Sequence, residues 1–129
     1  MKNFSDKRTH ELRHYTRVKK ELEQELKESG QWACFFSGIP FPDYSTWENV
    51  TWHHCKGRDG DLLTDKTYLV PVLDKYHTGD EGWHNKPLSY LRTLWWFEGF
   101  MQRLLDKDHD LYMSVVYKIK AIDDLKLLQ

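Results

Sequence analysis

Four of the seven histidines in this 129-residue chain fall within residues 52–85, and two of them, His53 and His54, are adjacent. They surround two short runs of β-type residues, 50–55 and 67–72, joined by a loop that opens Lys56-Gly-Arg-Asp-Gly-Asp61. Branched and aromatic residues suit a half-buried pleated surface. Pro71 lacks a backbone donor, which places the second run at a sheet edge or near a strand end. Together the two runs read as a hairpin with a long, glycine-rich connection. Imidazole is the commonest metal ligand and titrates nearest neutral pH, so its concentration beside a hairpin points to a metal site that does chemistry.

Helical patterns flank this stretch. Leu12, Tyr15, Val18 or Lys19, Leu22 and Leu26 recur at three- and four-residue steps and predict a helix over 6–29, closed by Ser29-Gly30. Trp32-Ala-Cys-Phe-Phe36 reads as a short β-type run and Ser37-Gly38 as a turn, while Pro40, Pro42, Asp43 and Ser45 mark an irregular loop. Residues 74–85, with two glycines, read as a turn plus a short helix. Pro87 opens a helical part over 88–122 in which Leu88, Leu91, Leu94, Trp95, Met101, Leu104 and Leu105 share helical spacing and 106–110 form a polar break. Residues 111–122 fit a helix or a strand, with helix preferred. The expected class is α+β in a single domain, 1–129: an N-terminal helix (6–29), a core (32–88) and a C-terminal helical part (88–122).

The net charge of −1 gives the whole molecule no strong pull toward nucleic acid. Its distribution is uneven. Lys2, Lys7, Arg8, Arg13, Arg17, Lys19 and Lys20 against Asp6 and Glu11 leave residues 1–20 at +5, and the rest of the chain at −6. Such an arm can contact phosphate, although a solvated helix face is the plainer reading of a charge run. Two cysteines, Cys34 and Cys55, cannot make a four-thiolate zinc site, and a disulfide between them is unneeded at this length. No apolar run approaches the ~20 residues of a membrane span, and the first residues hold no signal core. A soluble, intracellular protein is expected.

His53-His54 closing a strand, a glycine-bearing loop, a second strand and a histidine-rich turn leading to a helix together resemble an HNH nuclease, the ββα-metal class. More narrowly, His-His-x-x-Gly-Arg-x-Gly, then Tyr-Leu-Val-Pro-Val, then His-x₆-His-Asn are similar to small phage-encoded members. The upstream Cys-Phe-Phe-Ser-Gly and the Lys/Arg-rich helix are similar too. The resemblance covers residues 8–88. It implies a ββα-metal core of hairpin plus short helix, flanked by the N-terminal and C-terminal helices. It also implies that His53, His77 and His84 hold one divalent metal ion (Mg, Mn, Zn or Ni), with no other cofactor, and that His54 is the general base. Arg58 would assist catalysis and grip phosphate through its planar fork, Lys56 would add a point charge, and Arg13 and Arg17 would touch the nucleic acid. The partner would be DNA, or alternatively RNA, and the setting the cytoplasm of a bacterium or phage-infected host.

The family's middle Asn is absent, and residues 65–68 stand in its place. Asp65 would replace its loop-bracing hydrogen bond or reach the metal itself. The implied activity is metal-dependent hydrolysis of phosphodiester bonds; the alternative is a catalytically inactive module that binds nucleic acid or protein and keeps a structural metal. His77 and His84, seven apart, share a face on a regular helix or meet across a loop. The HExxH helix of zinc peptidases and the zinc-deaminase signature are both missing. For His10, His14 and His109 the plain expectation is a satisfied core role, and for Trp83, Trp95 and Trp96 likewise core. Asp59, Asp61, Asp80 and Glu81 read as solvated loop.

Overall fold

The polar face of the first helix, α1 (Asp6–Glu28), is laced by Lys27 to Glu23 at 2.6 Å and Gln24 to Glu28 at 2.8 Å. The opposite stripe buries Val18 and Leu22. Gly30, at φ 73°, closes the helix: its N–H reaches the Lys27 carbonyl and the Gln31 N–H reaches Leu26 at 2.8 Å, the paired bonds of a Schellman stop. The computed structural model describes residues 6–41 and 50–128. Pro42, Asp43 and Ser45, expected in an irregular loop, lie outside the described residues.

The chain divides into two compact units, Met1–Trp32 with His54–Leu69, and Ala33–His53 with Val70–Gln129. In the first unit α1 packs on a 3₁₀ turn, Gly60–Thr64, that follows the glycine-bearing loop. Gly57 (φ 96°) and Gly60 (φ 57°) let the chain leave the strand and enter that turn. Asp65 then braces the exit, its carboxylate accepting from the Thr67 N–H at 3.0 Å and its carbonyl from Tyr68 at 3.1 Å. Lys66 reaches back to Glu21 and Glu25 on α1 at 3.1 and 2.8 Å.

The strands are β1 (Val50–His54) and β2 (Leu69–Leu73), paired as a two-stranded antiparallel hairpin. In the second unit the expected β run over 32–36 is replaced by a turn. Among the described residues the run keeps an isolated bridge between Ala33 and Pro40. Its backbone closes a local turn, the Cys34 N–H donating to the Ile39 carbonyl at 2.9 Å and the Gly38 N–H to the Cys34 carbonyl at 2.7 Å, while the Phe35 N–H donates to the Pro71 carbonyl of β2 at 3.0 Å. Arg103 donates to the Phe35 and Phe36 carbonyls at 2.6 and 2.7 Å, and the Cys34 sulfur accepts from the Ser37 and Leu73 N–H groups. Gly38, at φ 77°, lets the turn close where a Cβ would stand 2.7 Å from the Arg103 guanidinium. Cys34 and Cys55 are free thiols.

Phe36, wholly buried, is the hub of this unit's aromatic core. Trp83 stacks on it at 5.4 Å, and Trp96 and Phe100 pack at 5.5 and 5.2 Å. After β2 come α2 (Asp74–His77), α3 (Leu88–Leu91), α4 (Phe97–Lys107) and α5 (His109–Leu127). The helical pattern expected to run on from Leu88 is interrupted between α3 and α4, where Trp96 and Phe97 turn into the core. Asp108 ends α4 and caps α5, accepting from the Asp110 and Leu111 N–H groups at 2.8 and 3.1 Å. Residues 111–122 are therefore helical.

Two expectations of burial fail. Trp95 is 67% exposed, because its neighbour Trp96 takes the inward position at 3%. His10, His14 and His109 are exposed on helix faces, where His14 accepts from Arg17 at 3.0 Å instead of filling a core. No helix among the described residues is long and apolar enough to cross a membrane.

Candidate metal centre

His53, His77 and His84 come together in the second unit, each offering a ring nitrogen within 4.8 Å of the others. Their ring centroids stand 5.2, 5.5 and 4.6 Å apart. His53 and His77 are buried, at 7% exposure each, while His84 is exposed. The site therefore has an apolar floor and an open side. Phe36 and Trp83 line the floor, their rings 5.1 and 6.1 Å from that of His53.

Each ring is placed by a different element. His53 is on β1, and His77 ends α2. His84 is returned to His77 by a tight loop rather than by two turns of helix. The His84 N–H donates to the His77 carbonyl at 3.0 Å, and Trp83 donates to Tyr76 at 2.8 Å. The side chain of Asn85 staples the loop from within, donating to the Thr78 and Gly79 carbonyls at 2.7 and 2.9 Å. Gly79 and Gly82 are required by space. A Cβ on either would lie 2.8 Å from a backbone oxygen, of Lys75 and of His77 respectively.

The hydrogen-bonding distances around His77 are compatible with a ligand set. The Nδ1 of His77 stands 2.9 Å from the Thr51 hydroxyl, and its Nε2 stands 2.9 Å from the Nε2 of His84. A hydroxyl that holds Nδ1–H leaves Nε2 with its lone pair directed at the space shared with His84, the arrangement in which an outer hydrogen bond fixes the metal-binding tautomer. In a tetrahedral zinc site with Zn–N near 2.05 Å, two such nitrogens would stand about 3.3 Å apart. The observed pair needs a separation of only a few tenths of an ångström. Three imidazoles and an open side match a site that retains a position for water or substrate.

His54 belongs to the first unit and has its own surroundings. Its Nε2 is 3.3 Å from the Leu63 carbonyl, and its ring lies 5.5 Å from that of Tyr15. A carbonyl only accepts, so Nε2 carries the proton and Nδ1 is left as the basic nitrogen. Partial burial, then the Arg58 charge and more weakly that of Lys19, hold the imidazole below its ordinary pKa of 6.5, against a smaller opposing effect of the Leu63 carbonyl. Arg58 is exposed with its guanidinium carbon 5.9 Å from the Tyr15 ring, and Lys56 lies over Tyr68 at 4.4 Å. Arg13 and Arg17 are exposed on α1. Asp59, Asp61, Asp80 and Glu81 are exposed, as expected of solvated loop.

The sequence pattern assigns no site role to Thr51, Asn85 or Tyr15. His-x₆-His-Asn held a signal for Asn85; nothing local marked Thr51, which meets His77 across 26 positions of sequence. No protein-family model, curated protein or solved structure matches this chain.

Proposed function

We propose that this protein is a metal-dependent HNH-type endonuclease that hydrolyses phosphodiester bonds, with DNA as substrate. The observation that carries the reading is the convergence of His53, His77 and His84 with His77 oriented by Thr51. These three imidazoles would hold one divalent cation. When bound, it supplies charge stabilisation for the scissile phosphate and its leaving oxygen. His54, next in the chain to His53, accepts the proton of the attacking water at Nδ1, while its Nε2–H stays on the Leu63 carbonyl. Arg58 binds a phosphate oxygen pair through its fork.

One observation favours a second reading, a non-catalytic module with a structural metal. Residues 65–68 hold no Asn where the resembled family carries one, and the Asp65 carboxylate accepts from the Thr67 N–H within its own loop. Plasmid incubated with the protein and Mg²⁺, Mn²⁺, Ni²⁺ or Zn²⁺ decides between them, with His54→Ala alongside. Nicking by the parent chain and its loss in the variant are expected. Intact plasmid with every metal, or equal cutting by the variant, refutes the enzymatic reading; metal-dependent melting without cutting supports the module.

A further inference from the structure

In the first unit, two cations are gathered over one aromatic ring. The ammonium of Lys19 lies 4.3 Å from the centroid of Tyr15 and the guanidinium carbon of Arg58 5.9 Å from it. Lys19 comes from α1 and Arg58 from the loop after β1, so the fold brings them together from 39 residues apart in sequence. Among the described residues no carboxylate stands within ion-pair distance of either. Acidic groups are not scarce nearby. Glu21 and Glu25 of the same helix are taken by Lys66, Glu23 is taken by Lys27, and Asp65 is turned into its own loop.

Like charges side by side repel, and partial burial adds to that cost. Lys19 shows both effects, its ammonium held below the ordinary lysine value first by burial and then by Arg58. The Tyr15 ring offsets part of the repulsion by cation–π attraction, more strongly for Lys19 at 4.3 Å than for Arg58 at 5.9 Å. A compact ammonium and a planar fork against one ring, with no carboxylate partner among the described residues, offer the donor chemistry that an oxyanion of phosphate type takes: a fork suits two oxygens and an ammonium a third.

We propose that Lys19, Arg58 and Tyr15 form a phosphate-binding site on the first unit that grips a backbone phosphate of a nucleic-acid strand without help from metal. Its geometry stands alone; the identity of its ligand rests on the nucleic-acid reading above. Arg13 and Arg17, exposed on the same helix, extend the positive surface and leave Lys19 as the anchored contact.

The test uses the full chain in EDTA, so that metal chemistry plays no part. A fluorescent DNA oligonucleotide is titrated by anisotropy at several salt concentrations against the parent, Lys19→Gln, Arg58→Gln, the double variant and Arg58→Lys. Lys120→Gln on α5 is the charge control. Each neutral variant should weaken binding several-fold and lower the slope of log K against log salt by ~0.7–0.9, the value of one lost phosphate contact. Arg58→Lys should restore the slope but not the full affinity, and Lys120→Gln should change neither. Circular dichroism and melting confirm that each variant is folded. Inorganic pyrophosphate should displace the oligonucleotide from the parent and far less well from the double variant. Unchanged affinity and slope in a folded double variant overturn the proposal. Pyrophosphate binding without oligonucleotide binding overturns the nucleic-acid ligand. Metal-free binding that persists in a chain that never cuts plasmid upholds this site while refuting the nuclease.

Discussion

Replacing Thr51 by Val tests the candidate metal centre through the hydroxyl beside His77. Valine keeps the branched shape that suits β1 and removes only the hydroxyl, 2.9 Å from the Nδ1 of His77. Two effects follow. Without metal, a ring nitrogen in a residue only 7% exposed loses this hydrogen-bond partner, at a cost of about 1–3 kcal/mol. With metal, the ring is no longer held in the tautomer that presents Nε2 to the space shared with His84. Loss of such an outer hydrogen bond weakens metal affinity by about 10–100-fold, which is about 1.4–2.7 kcal/mol. Competition against a chromophoric zinc chelator measures this directly, with circular dichroism confirming that the variant is folded. Thr51→Ser retains the hydroxyl and should bind within about twofold of the parent, well inside the 1.4 kcal/mol of a tenfold change. Equal zinc affinity in parent and Thr51→Val would refute the argument, as would equal losses in Val and Ser.

Gly82→Ala places a methyl 2.8 Å from the His77 carbonyl oxygen, so the loop joining His77 to His84 must open; a destabilisation of about 1–3 kcal/mol and a marked loss of zinc affinity are expected, read by melting and chelator competition. Retention of both would show that the loop does not position the rings. For His54, burial and then Arg58 lower the folded pKa below 6.5, so the unfolded chain takes up a proton first on acidification. The stabilising contribution of its neutral ring is whole above pH 6.5 and is lost as pH falls from there through the folded value. Arg58→Gln should raise the His54 titration midpoint seen by NMR; a midpoint that stays put or falls contradicts the electrostatic cause.

Much of the secondary structure could be read from local pattern. The stripe through Val18 and Leu22 with its Gly30 stop yields α1 almost residue for residue, since periodicity and a left-handed glycine are properties of adjacent sequence. The hairpin followed from two β-type runs and the glycines between them. The run at 32–36 has a composition that suits a strand, whereas it forms a turn whose Phe35 and Phe36 carbonyls are held by Arg103, some 68 positions away. The pair Trp95 and Trp96 shows the same limit: composition marks both as apolar, and only the break between α3 and α4 selects which one is buried.

By itself, the sequence determined the chemistry available: which imidazoles, cations and glycines exist, and the periods that set helices and strands. Tertiary structure decided their company. It turned His-x₆-His into a loop whose ring nitrogens meet, set Thr51 behind His77, and gathered Lys19 and Arg58 over Tyr15. The physical reason is range. Backbone preference and amphipathic period act over a few residues, whereas a ligand set is made by side chains that only packing brings within hydrogen-bonding distance.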